Sequence, residues 1–80
     1  MQRYPVIDLA ATGRNMEKLR REAGLSVRAL QEAFGFSSPQ AIYKWQRGQA
    51  LPTLDNMTVL SRLLRRSIED ILVLEQEREP

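Results

Sequence analysis

Phe34-Gly35-Phe36-Ser37-Ser38-Pro39-Gln40-Ala41-Ile42-Tyr43-Lys44-Trp45-Gln46-Arg47-Gly48 contains a tight turn and then a short helix with start and stop signals of its own. Ser38 is placed to cap the first turn. Pro39 suits the first helical position, where its missing N–H is not needed. Gly48 is placed to end the helix in a left-handed C-cap. Between them, helical spacing puts Ile42 and Trp45 on one side and Gln40, Tyr43, Lys44 and Arg47 on another. The second face is polar, aromatic and basic, and carries no acid. Such a face suits the reading of base edges and the holding of phosphates.

The rest of the chain narrows the possibilities. Its 80 residues make one small domain, expected over 1–80, with a small core. There is no cysteine, hence no disulfide and no thiolate metal site. There is no histidine either, which removes the commonest metal ligand and the commonest general base at neutral pH. No metal or other cofactor is expected. No apolar run approaches the length of a membrane span, and Met1-Gln2-Arg3-Tyr4-Pro5 does not read as a signal peptide. A cytoplasmic protein is the expectation. The net charge of +2 hides a division. Residues 1–68 carry eleven Lys/Arg against five Asp/Glu, whereas residues 69–80 carry Arg78 against Glu69, Asp70, Glu75, Glu77 and Glu79. A basic body is a common footprint of a nucleic-acid binder, and equally a solvated surface with an acidic tail.

Working outward from residues 34–48, helix signals recur between Gly, Pro and Ser, and strand signals are poor. Asp8 caps a first helix to about residue 22, with Leu9, Met16, Leu19 and Ala23 on its inner face. Gly13, within it, costs roughly 1 kcal/mol relative to Ala and admits the close approach of another backbone. Ser26 caps a second helix, about 26–34, with Val27, Leu30 and Phe34 along a buried stripe. Helix three covers about 39–47. Thr53 caps a fourth, about 53–65, with Leu54, Met57, Leu60, Leu63 and Leu64 inward. Ser67 caps a fifth, about 67–74, with Asp70 three residues on as in a capping box. Residues 1–7 form an N-terminal extension over the core and 75–80 an acidic tail. The result is an all-α chain of five short helices.

Helices two and three, both short and joined by a glycine-led turn, have the pattern of a helix-turn-helix. The chain resembles the phage-repressor/Cro-type family, also called xenobiotic-response-element-like. The residues carrying the resemblance are Met16-Glu17-Lys18-Leu19-Arg20, Ala23-Gly24-Leu25-Ser26, Ile42 to Gly48, Leu51-Pro52-Thr53-Leu54-Asp55-Asn56 and Ser67-Ile68-Glu69-Asp70-Ile71-Leu72. The match spans about residues 12–73. It implies a compact five-helix, lambda-repressor-like domain that binds double-stranded DNA, usually as a homodimer on a palindromic site, with helix three in the major groove. Three departures stand out. Val27 occupies a position where the family usually has a phosphate-holding Gln. Gln31 replaces a small residue midway along helix two. The turn Gly35-Phe36-Ser37-Ser38 is one residue longer than usual, and the extra length makes room for Gln31.

Individual roles follow from residue chemistry and from these positions. Gln40 is the leading base reader, because an amide pairs bidentately with adenine; its bland alternative is an exposed helical Gln. Tyr43 is suited to a thymine methyl or a phosphate, against half-packing on Phe36. Lys44 faces a base or the adjoining backbone, and a flexible ammonium favours phosphate. Arg28, in the first turn of helix two, is a phosphate candidate, since that helix end attracts anions. By resemblance, Ser38, Arg47 and Gln49 also lie along the phosphate backbone. Trp45 is expected to cover the loop after helix three. Arg62, Arg65 and Arg66 complement the dipole of helix four. The expected function is sequence-specific DNA binding by a small transcriptional regulator. The alternative is a protein-interaction module, a bridging or antitoxin-like factor on the same fold, to which Val27 and Gln31 lend weight. No acid–base cluster or nucleophile–base pair suggests an enzyme. No small-molecule ligand and no built-in small-molecule switch are expected in a single domain of this size.

Overall fold

The computed structural model describes residues 6–75. It contains α1 (Leu9–Glu22), α2 (Val27–Phe34), α3 (Gln40–Gln46), α4 (Leu54–Leu64) and α5 (Ile68–Ile71). Four of the five starts are capped by the side chain the sequence offers. Asp8, Ser26, Thr53 and Ser67 each accept from the backbone N–H three residues on, satisfying a donor that the helix itself leaves free. The exception is α3. Pro39 is its N-cap and has no side chain to offer, Tyr43 N–H donates to the Pro39 carbonyl at 3.1 Å, and Ser38 Oγ lies 3.5 Å from Gln40 N–H. The bend through Ser37-Ser38-Pro39 therefore delays the helix by one residue from the expected start.

Met16, Leu19, Leu30, Ile42, Trp45, Met57, Leu60, Leu64 and Ile71 form one buried core to which all five helices contribute. Leu9, Ala23 and Leu54, expected inside, are exposed, Leu54 most of all at 77%. Leu9 and Leu54 are the first residues of their helices, ahead of the buried Thr12 and Met57.

The two ends of the described chain meet. Asp8 N–H donates to the Val73 carbonyl at 2.8 Å, Glu75 N–H to Val6 at 2.7 Å, and Ile7 and Leu74 form an isolated antiparallel bridge. This clasp ends α5 at Ile71, short of the expected boundary near 74, and leaves Leu74 exposed. Two polar side chains of α1 hold it. Thr12, fully buried, donates its hydroxyl to the Val73 carbonyl and accepts from Val73 N–H; Asn15 donates to the Asp70 and Ile71 carbonyls at 2.9 and 3.0 Å. Buried polar groups demand such partners, and the hydroxyl of Thr12 has two.

Candidate nucleic-acid interface

The position of α3 is set from behind. Gly13 of α1 lies against the end of α3, where a Cβ would come within 2.5 Å of the Trp45 and Gln46 carbonyl oxygens. Hydrogen in place of a methyl group lets the two backbones touch. Gly48 repeats the arrangement. Its φ of +73° closes α3, with Gly48 N–H donating to Trp45 and Gln49 N–H to Lys44, and a Cβ there would meet the Ala10 backbone at 2.7 Å. Arg20 adds a polar tie, its Nε donating to Gln46 Oε1 at 2.9 Å and its terminal nitrogen to the Leu25 carbonyl at 2.8 Å.

Aromatic packing fixes α3 against α2. The rings of Phe34 and Phe36 stack at 5.0 Å, and Trp45 meets both edge-on at 5.5 and 5.9 Å, the separations aromatic pairs prefer. Trp45 thus packs on the turn before α3, a contact that its helical spacing alone did not suggest. Gln31 secures the same turn. Its carbonyl accepts Phe36 N–H at 3.0 Å and its side-chain amide donates to the Phe36 carbonyl at 3.3 Å. The larger residue and the longer turn are two halves of one structure, which explains both departures together.

The outer face of α3 is left for a partner. Ile42 and Trp45 point inward, whereas Gln40, Tyr43 and Lys44 are exposed. Gln40 and Lys44 line a recess with Ser37 and Ser38 on one flank; on the other, Gln40, Tyr43 and Lys44 share a shallow groove with Arg47 and Gln49. Six of the seven candidates therefore surround one face. The Arg47 guanidinium lies 5.6 Å from the Tyr43 ring centroid, so Tyr43 packs on Arg47. The seventh, Arg28, stands apart in the first turn of α2, highly exposed, its Nε 3.5 Å from Glu32. No acidic side chain lines either recess on α3. Sequence reading did not assign structural roles to Arg20, Gln46, Thr12 or Asn15, whose contacts are long-range and leave no local pattern.

A short helix wedged on two others, with its polar and basic face outward, is a helix-turn-helix of the kind that lays one helix in a duplex groove. The chain belongs to the Cro/C1-type helix-turn-helix family of DNA-binding regulators; the family model, described as helix-turn-helix, matches residues 16–71. Among solved structures it is similar to the restriction-modification controller protein C.AhdI from Aeromonas hydrophila, at 26% identity and a TM-score of 0.70, over 80% of this chain and 96% of that one. The clp gene regulator ClgR from C. glutamicum is similar in fold at 24% identity and a TM-score of 0.66, over 78% and 79% of the two chains. The DNA-binding domain of BldD is similar in fold at 17% identity and a TM-score of 0.67, over 81% and 93%. No curated protein matches the chain in sequence. Among the described residues, no helix is long and apolar enough to cross a membrane.

Proposed function

We propose that this DNA-binding regulator is sequence-specific, reads bases in the major groove with Gln40, Tyr43 and Lys44, and holds phosphates with Arg28, Ser38, Arg47 and Gln49. The observation that carries this reading is the acid-free outer face of α3, on which all these residues but Arg28 converge. Its likeness to a restriction-modification controller protein, over 96% of that chain, supports a role as a regulator. Basic groups supply affinity by releasing counterions, whereas the helix face supplies specificity. One helix reaches few bases, so a useful specificity ratio calls for two copies on a palindrome, with half-site centres about 34 Å apart. DNA in the cytoplasm is the natural target, and no catalytic step is assigned. The protein-interaction alternative loses its main support, because Gln31 is engaged within the domain and Val27 packs against the core.

Selection from a random duplex pool tests this reading. Enrichment of one palindromic sequence is the expected result. Binding without enrichment would remove base readout, and absence of binding even at low salt would favour the interaction module.

A further inference from the structure

One feature of the molecule plays no part in the DNA face. The ends of α1 and α4 border an open cleft of about 600 Å³ lined by Leu19, Leu25 and Leu63 together with Glu22, Arg65 and Arg66. Glu22 pairs with Arg66 at 3.6 Å, which leaves Arg65, and Arg62 in the last turn of α4, as exposed cations without a carboxylate within ion-pair distance among the described residues. No residue of α3 lines the cleft. Glu22 follows Gly13 by nine residues, which at 100° each is half a turn after two full turns, and Gly13 is the residue that faces the α3 carbonyls.

Arg65 is conspicuous for its backbone. It has φ of +57°, the left-handed conformation that closes α4, and at the corresponding position α1, α2 and α3 use Gly24, Gly35 and Gly48. Glycine is the easier residue in that conformation, so the arginine side chain is carried there at a backbone cost.

The matching surface is at the other end of the same molecule. Beside the clasp, Val6 and Leu74 are about half exposed, and Glu75, Glu77 and Glu79 follow in sequence. Leucine and arginine on one surface meet leucine and glutamate on the other. Within one copy the match falls short. The tail leaves beside Val6, at the start of α1, and the cleft lies at the far end of that helix, about 20 Å along at 1.5 Å per residue. Residues 76–80 span at most about 17 Å fully extended.

We propose that this cleft receives the acidic segment 74–79 of a second copy of the chain, exchanged reciprocally between two copies. The exchange rests on the dimer reading above and gives that dimer its seam. It leaves both α3 faces uncovered. A duplex phosphate would satisfy the arginines but leave the leucines beside them unpartnered.

Sedimentation of the full chain over a concentration series, at low and moderate salt, provides the test, with circular dichroism as a check on folding. Arg65→Glu with Arg66→Glu, and separately Glu77→Lys with Glu79→Lys, should each weaken dimerisation tenfold or more. All four changes together should restore it. Arg65→Gly, which removes the side chain at a conformation glycine prefers, should weaken the dimer while preserving the fold. Dimerisation unchanged by either charge reversal would place the seam elsewhere and overturn the exchange while sparing the dimer. A chain monomeric at every concentration would overturn both. Loss of DNA binding by the arginine variants with dimerisation intact would assign the cleft to nucleic acid and overturn the exchange as well.

Discussion

Gly13 and the carbonyl of Trp45 stand so close that a single Cβ would lie 2.5 Å from the oxygen. That proximity joins the first helix directly to the helix that faces DNA. In an ordinary helix interior, Gly→Ala stabilises by roughly 1 kcal/mol. At Gly13 the sign should reverse, because the methyl group meets backbone, which cannot rotate away. Gly13→Ala is expected to cost about 1–3 kcal/mol, the range for overpacking. Urea unfolding followed by circular dichroism measures it, and a rise in midpoint would show that α3 can retreat freely.

Arg20 is tied to neutral acceptors, the Gln46 amide oxygen and the Leu25 carbonyl. A carboxylate in place of that amide would make the bond charge-assisted. Gln46→Glu should raise stability by up to about 1 kcal/mol, since the site is only partly buried. It should also weaken DNA binding modestly by reducing positive charge beside α3. Thermal unfolding and duplex titration on the same variant measure the two effects.

The left-handed Arg65 offers a third test. Its N–H donates to the Arg62 carbonyl, Arg66 N–H donates to the Ser61 carbonyl, and the Ser61 hydroxyl donates to the Arg66 carbonyl. The turn is thus held whatever residue occupies position 65. Relief of the left-handed conformation, worth about 1–2 kcal/mol for an L-residue, is offset in part by the greater freedom of unfolded glycine. Arg65→Gly should therefore raise the monomer's unfolding free energy by about 1 kcal/mol or less. Denaturation at concentrations below dimerisation separates this gain from any loss of association.

Phe36 belongs to both the turn and the Trp45 cluster. Phe36→Ala removes two ring contacts from a half-buried site and should cost about 2 kcal/mol, below the 3–5 typical of full burial. Trp45 is the sole tryptophan, so its fluorescence reports locally. A red shift in emission is expected in the folded variant, and an unchanged spectrum would mean that Phe34 alone shields the ring.

The reach of sequence reasoning follows the range of the interactions. Caps act over three residues, so Asp8, Ser26, Thr53 and Ser67 were legible, as was the glycine stop at Gly48. The helix periodicity of Ile42 and Trp45 separated the inner from the outer face of α3. At Pro39, the same rules placed the helix one residue early, because the bend through Ser37 and Ser38 depends on Phe36 packing in the aromatic cluster. The clasp was invisible for a similar reason. Thr12 meets Val73 across 61 residues and Asn15 meets Asp70 across 55, and neither leaves a periodic trace. Leu74 carries an apolar side chain at a helical spacing from Ile71, yet the Ile7 bridge draws it out of the helix.

The proposed binding divides its labour between the α3 face and the rest of the basic surface. It is tested most directly by titrating wild-type, Gln40→Ala and Arg28→Ala chains against the selected duplex and a random one across a salt series. Gln40→Ala should lose about 1–3 kcal/mol on the selected duplex, with relaxed preference at one base pair and little change on random DNA. Arg28→Ala should weaken both duplexes alike and reduce the salt slope by about one. Equal effects of the two substitutions on selected and random DNA would contradict base readout by α3.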